Sequence, residues 1–291
     1  PEYLESGDIL TLNDTKVIPA RLSGVKKGTL GRVDVLLSNR LSSKRFQALI
    51  QPGLKIGQEV LFDHGHAGSA GVSAVLSGKG VLEFNQEISL ELLDKIGVMP
   101  LPPYIKRQPR SSDNLSYQTV YARAPGAVAS PTAGRHFTLE LMKEIEAGSV
   151  DIRYITLHVG TGTFKPVKCE EIENHPMDPE EFSIPKETLN AVIKAKKEGR
   201  RIFSAGTTTT RALEMIGKLL DDGRQYTNLF IYPGYEFKTV DCLLTNFHLP
   251  KTTLFMLACA FAGRELIMRA YEEAVKERYR FYSYGDAMLI I

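Results

Sequence analysis

The stretch Arg201-Ile-Phe-Ser-Ala-Gly-Thr-Thr-Thr-Thr-Arg211 decides the fold. Arg201 to Ala205 reads as a short buried strand, and Gly206 turns the chain straight into a helix expected to run to Leu220. Free backbone N–H groups at a helix start attract anions, and hydroxyls beside them add donors, so Gly206, Thr207 and Thr208 are candidate ligand contacts. Simple N-capping by Thr207 or Thr208 accounts for the same residues. No Walker lysine follows, which excludes a nucleotide triphosphatase loop.

The strand-to-helix alternation continues on both sides. Gly7 to Asp14, Val150 to His158, Asn228 to Tyr232 and Cys242 to Thr245 read as further strands. Thr138 to Ala147 reads as a helix with Thr138 as N-cap and Glu140 in the first turn. Lys186 to Gly199 is an amphipathic helix stopped by Gly199, and Thr252 to Lys276 is helical with a break near Gly263. Such alternation predicts an α/β domain with a mostly parallel sheet. Residues 20–103 have a different texture. Gly31 to Leu37, Phe46 to Ile50 and Val72 to Leu76 are short alternating runs spaced by Gly, Ser and Asn, which predicts a small antiparallel barrel or sandwich. The expected division is therefore an α/β domain of residues 1–19 and 104–291, interrupted by a barrel domain of residues 20–103.

The totals are those of an ordinary globular protein: 291 residues, 43% hydrophobic and 24% charged. No apolar run is long enough to span a bilayer, so no membrane is expected. The chain opens at Pro1 without Met, and a preceding stretch is expected. Three cysteines, Cys169, Cys242 and Cys259, are odd in number and far apart. That pattern predicts reduced thiols in a cytoplasmic protein rather than a disulfide or zinc framework. His64 and His66 form a His-x-His pair with no third ligand nearby, so no metal is predicted. The net charge of +2 neither demands nor forbids nucleic acid.

Three histidines sit in turns rich in Gly, Thr or Pro. His136 follows Pro131-Thr-Ala-Gly134, His158 ends a strand before Val159-Gly-Thr-Gly-Thr163, and His248 lies in Thr245-Asn-Phe-His-Leu-Pro-Lys251. Each alone fits a hydrogen-bonded structural histidine; together they point to one composite site with a general base near neutral pH. Gly160, Thr161, Gly162 and Thr163 are not a dinucleotide fingerprint, because the third glycine is missing and Pro166 stands where a helix would run. They predict a turn that lets a ligand approach the backbone. Thr132, Gly134, Asn246, Tyr282 and Tyr284 complete the candidate binding set, and Asp14 and Asp286 supply carboxylates. Leu101 to Arg110 combines a stiff Pro-Pro segment with Tyr104, Lys106, Arg107 and Arg110; with Arg21 it forms a candidate RNA-binding patch.

Taken together, Leu12-Asn-Asp-Thr-Lys-Val-Ile-Pro-Ala-Arg21, Leu101 to Arg107, Tyr117-Gln-Thr-Val-Tyr121, Pro131 to Gly134, Leu157 to Gly160, Gly206-Thr-Thr-Thr, Thr245 to Lys251 and Tyr279 to Met288 resemble the S-adenosylmethionine:tRNA ribosyltransferase-isomerases of queuosine biosynthesis. Arg135 departs from the family's usual Leu, and Asp178 replaces a second His, while Glu180 matches. The resemblance implies an α/β domain carrying a six-stranded Greek-key barrel, and a monomer. It implies transfer and isomerisation of the ribosyl part of S-adenosylmethionine onto the 7-aminomethyl-7-deazaguanine wobble base of tRNA, giving epoxyqueuosine-tRNA, adenine and methionine. S-Adenosylmethionine is then a co-substrate and tRNA the partner. On that chemistry His136 or His248, with His158 third, is the expected base, and Asp14 or Asp286 orients or supplies a proton to adenine. An S-adenosylmethionine-dependent RNA methyltransferase and a non-catalytic RNA-binding module are the alternative readings.

Overall fold

A computed structural model describes residues 1–62, 71–102, 104–160, 162, 167, 169, 171–218 and 224–291. His64, His66, Thr161 and Thr163 lie outside the described residues. The chain divides into two compact units, one of residues 1–16, 118–124 and 130–291 and one of residues 17–117 and 125–129.

The first unit is built on a seven-stranded sheet with strands β1 (Ile9–Asn13), β2 (Asp151–Leu157), β3 (Glu180–Ser183), β4 (Ile202–Ala205), β5 (Gln225–Thr227), β6 (Cys242–Asn246) and β7 (Ala287–Ile290). Their order is β5-β3-β2-β1-β4-β6-β7. The central pairings β2–β1, β1–β4 and β4–β6 are parallel, and the outer pairings β5–β3, β3–β2 and β6–β7 are antiparallel. The sheet is therefore mixed. Helices α1 (Leu139–Ala147), α2 (Lys186–Lys197), α3 (Thr207–Leu213), α4 (Thr253–Ala262) and α5 (Arg264–Lys276) accompany it. Two helices in succession, α4 and α5, separate β6 from β7; they return the chain to the end of the sheet it left, so β7 runs back antiparallel.

The buried strand β1, Ile-Leu-Thr-Leu-Asn, has no exposed residue, as expected for a central strand covered on both faces. Leu10, Leu12, Phe137, Met142, Ile145 and Phe203 form the core on one side. Thr138 caps α1 as its residue type predicts, accepting from the Leu141 N–H at 3.2 Å.

Two expected elements differ. The strand sought at Asn228 to Tyr232 is at Gln225–Thr227 instead. Leu229 has its backbone groups taken by side chains, its N–H by Thr227 Oγ1 at 3.1 Å and its carbonyl by Arg211 Nε at 2.9 Å, so no ladder forms there. The helix after Gly206 ends regularly at Leu213. There Glu214 turns its carboxylate to the backbone N–H groups of Lys238, Thr239 and Val240 at 2.9, 3.0 and 3.0 Å.

The second unit holds a closed antiparallel barrel of six strands, Arg21–Lys26, Arg32–Arg40, Arg45–Gln51, Glu59–Leu61, Ser73–Gly78 and Val81–Phe84. Alternation decides its inside: Val33, Val35, Leu37, Phe46, Ala48, Leu76, Leu82 and Phe84 point into one core. This unit runs on past residue 103, where Arg107 grips the buried Asp113 with both guanidinium nitrogens at 2.7 Å and the Arg110 N–H adds a third bond at 2.7 Å.

One buried ion pair crosses the first unit. Arg211 on α3 donates to Glu180 on β3, and both side chains are almost wholly buried. Removing one partner leaves a buried charge without compensation. Arg211→Ala should therefore cost about 3–5 kcal/mol of stability, read as a drop in the urea midpoint.

Candidate active site

The parallel strands β2, β1, β4 and β6 all end at one edge of the sheet, and the ends of such strands form the crevice where α/β sheets gather ligands. Asn13, the last residue of β1, is completely buried there. Its Nδ2 donates to the Leu157 carbonyl at 3.0 Å and to Thr208 Oγ1 at 3.3 Å, and its Oδ1 accepts from the N–H groups of Leu157 and Thr15 at 3.0 and 3.2 Å. One amide thus locks the ends of β1 and β2 to the start of α3. Its side chain does not titrate, so a search for titratable groups misses it; its signal is an Asn closing a wholly buried strand.

Gly206 makes the turn from β4 into α3 with φ +97°, in the left-handed range that glycine tolerates. Inside the turn, Thr209 and Thr210 return their hydroxyls to the carbonyls of Ala205 and Gly206 at 2.7 and 3.2 Å. The helix has no side-chain N-cap, so the capping role expected of Thr207 or Thr208 is not taken up. Gly206, Thr207 and Thr208 instead line a pocket with Ser130, Thr132, Thr245 and His248. The Ser130 hydroxyl is buried and has no hydrogen-bond partner among the described residues.

Gly134 follows the pocket-lining residues Pro131, Thr132 and Ala133. A Cβ at this position would collide with the Tyr121 hydroxyl, so only glycine lets the chain pass.

The three histidines differ in setting. His248 Nε2 lies 2.7 Å from Thr245 Oγ1, and its own N–H donates to the Tyr271 hydroxyl at 2.8 Å. Burial pulls its imidazole down to a pKa of about 4, so it is neutral at pH 7. His158 Nδ1 lies 2.8 Å from Thr15 Oγ1, and burial again lowers its pKa, with Glu181 opposing. His136 is more exposed. Its Nε2 lies 3.3 Å from Asn246 Nδ2, which also donates to the Tyr282 carbonyl at 3.2 Å. Desolvation and Arg135 lower the His136 pKa, while Asp286 raises it. The Asn246 Oδ1 is buried without a hydrogen-bond partner among the described residues.

The two carboxylates are already engaged. Asp14 accepts from Arg123 Nε at 2.5 Å and from Thr156 Oγ1 at 2.6 Å. Asp286 accepts from the Arg280 guanidinium at 2.8 Å and from its backbone N–H at 2.7 Å, and the guanidinium holds the carboxyl below the usual range. The Gly160 N–H donates to Glu180 Oε1 at 2.9 Å, and Gly162 lies close against Asp178. Among the RNA-facing candidates of the second unit, Arg21 is paired with Asp34 and Arg107 with Asp113. Lys106 and Arg110 are exposed, and Tyr104 is half-buried. The described residues contain no group of three or more His, Cys, Asp or Glu able to hold a metal ion.

A mixed sheet whose strand ends carry this pocket, together with a separate six-stranded antiparallel barrel, gives the class of protein. The family is that of the queuosine biosynthesis proteins: its model matches residues 1–290, and the chain belongs to it. The chain is 47% identical over 295 residues to the S-adenosylmethionine:tRNA ribosyltransferase-isomerase of Acetivibrio thermocellus, covering 99% of this chain and 86% of that protein. It is 48% identical to the same-named protein of Staphylococcus haemolyticus, with coverage of 99% and 86%. Among solved structures it is similar to the S-adenosylmethionine tRNA ribosyltransferase of Thermotoga maritima, at 36% identity and a TM-score of 0.51, covering 100% of this chain and 84% of that one.

The His248 setting has a consequence for stability. Its folded pKa lies below the ordinary value of 6.5, so the unfolded chain binds the proton first, and stability falls as pH drops through the window from 6.5 to about 4. Between pH 7 and pH 5 this single group should remove about 2 kcal/mol. Urea unfolding at the two pH values, with His248→Gln as the comparison, should show a shallower dependence in the variant.

Proposed function

We propose that this chain is an S-adenosylmethionine:tRNA ribosyltransferase-isomerase, acting with S-adenosylmethionine as ribosyl donor on tRNA that carries 7-aminomethyl-7-deazaguanine at the wobble position. The observation that carries the reading is the identity of nearly half of all residues, over essentially the whole chain, with relatives of that name. The pocket residue Ser130, and Asn246 next to the pocket residue Thr245, each bury an oxygen with no partner among the described residues, which suits a ligand rich in hydroxyls and amines.

The sulfonium of the donor acidifies the neighbouring 5′ carbon, and a neutral imidazole beside it is the group to take that proton. His136 fits best. It is the most accessible of the three, its lowered pKa keeps it unprotonated at pH 7, and Asp286 stands ready to balance the imidazolium that forms. His248, with a pKa of about 4, is too weak a base and serves as a hydrogen-bonding wall. His158, two residues before Gly160, takes the third place. The methionine carboxylate suits the start of α3, where Gly206, Thr207 and Thr208 present backbone N–H groups and hydroxyls. Thr132, Gly134, Gly160 and Gly162 frame the ribose, and Tyr282 and Tyr284 face its base. Asp14, tied to Arg123, stabilises the site rather than donating a proton.

In the second unit the strand order suits a Greek key, with Arg45–Gln51 beside Val81–Phe84 and the intervening strands running back as hairpins. Lys106 and Arg110, with Tyr104, are suited to tRNA phosphates and a stacked base, while the ion-paired Arg21 and Arg107 hold the surface that presents them. The protein is read as a cytoplasmic monomer that uses no metal.

Incubation with S-adenosylmethionine and the amine-bearing tRNA should release adenine and methionine and add the matching mass to the tRNA. S-Adenosylhomocysteine in their place would make the chain a methyltransferase, and RNA binding with no turnover would make it a binding module. His136→Ala should abolish adenine release while leaving S-adenosylmethionine binding largely intact. The acid limb of kcat/KM in the unaltered protein should fall below pH 6.5, because the His136 pKa is lowered.

A further inference from the structure

The turn from Tyr282 to Asp286 is held in an unfavourable shape. Tyr282 has φ +72°, in the left-handed range that a bulky residue adopts only when its surroundings enforce it. Gly285 has no room for a Cβ against the Arg280 and Phe281 backbone. Three side chains hold this turn. Asn246 donates to the Tyr282 carbonyl at 3.2 Å, Arg280 grips Asp286 at 2.8 Å, and Arg135 reaches over from the opposite wall. The Arg135 Nη1 donates to the carbonyl of the buried Ser283, and its guanidinium lies over the Tyr284 ring, 4.2 Å from the centroid. Arg135 is also the neighbour of His136 in the chain. A planar guanidinium that both donates to a carbonyl and stacks on a ring fixes two groups at once, which Lys does less well.

We propose that Arg135 is a positioning residue for substrate binding: it ties the Tyr282–Asp286 turn to the His136 wall and so sets the Tyr284 ring before the substrate arrives. This rests on the reading of His136 as base and of Tyr284 as a substrate contact. The charged groups facing His136 are Arg135, Asp286 and Arg280. Loss of the Arg135 cation therefore raises the His136 pKa, while Asp286 and Arg280 remain.

The test compares Arg135→Leu, Arg135→Lys, Tyr284→Leu and the Arg135→Leu/Tyr284→Leu double variant, each checked for an unchanged melting temperature. S-Adenosylmethionine binding is measured by calorimetry and adenine release across pH. Arg135→Leu should weaken binding and raise KM about tenfold, with a smaller change in kcat. Its acid limb should move to higher pH. Arg135→Lys should restore the limb but not the binding, and the double variant should bind no worse than the weaker single variant. Unchanged binding in both Arg135 variants, or fully additive losses in the double variant, would overturn the proposal. If Arg135→Leu does not fold, Arg135→Lys decides on binding alone. A wild-type protein that yields S-adenosylhomocysteine, or a His136→Ala variant with full turnover, sinks the proposed reaction instead, and the binding comparison still judges Arg135.

Discussion

The buried pair of Arg211 and Glu180 is the constraint around which the first unit is organised. Arg211 points off the short helix that opens at Gly206, and it reaches both Glu180 on β3 and the Leu229 carbonyl beyond β5. The other Glu180 oxygen holds the Gly160 N–H at 2.9 Å. A charge taken out of water must be met on every side, and here the groups that meet it belong to four separate segments. Such pairs add little net stability compared with apolar packing, but they strongly penalise any arrangement in which the partners miss each other. The helix whose start lines the pocket and the Gly160 N–H are held by the same two side chains.

Asn13 performs the neutral version of the same task. Its amide offers donors and an acceptor to β2, to Thr15 and to Thr208, so the strand ends and the helix start are aligned by hydrogen bonds of 3.0–3.3 Å. Beyond it the site economises on charge. Burial holds His248 and His158 neutral, and the more accessible His136 is balanced between Arg135 and Asp286. A pocket that keeps its imidazoles unprotonated suits a cationic sulfonium, which a ring of imidazolium ions would repel.

Much of the framework could be read directly from residue patterns. Val33, Val35 and Leu37 fall on alternate positions and face into the barrel, while Ile9, Leu10 and Leu12, apolar on both faces, mark a covered central strand. Thr138 and Gly206 announced helix starts by residue type alone. The segment after Thr227 did not follow its pattern. Its aromatic residues look strand-forming, yet Arg211 and Thr227 claim the Leu229 backbone, and no propensity scale contains that side-chain competition. The outer strands also escaped the α/β rhythm, since the direction of β7 depends on two helices in place of one.

Local chemistry therefore determined which elements form and which segments are rich in groups a ligand needs: the three histidine-bearing turns, the threonine run and the Tyr282–Asp286 segment are all contiguous in the chain. What each group does was decided only by folding. Asp14 and Asp286 look alike as free carboxylates, but Arg123 and Arg280 occupy them. Arg21 and Arg107 look like exposed cations, but Asp34 and Asp113 pair with them. The three histidines begin with the same intrinsic pKa and are separated by how much water each retains. The partners that make these distinctions lie from 6 to 109 residues apart, and which of them meet is settled by how the sheet and the barrel pack.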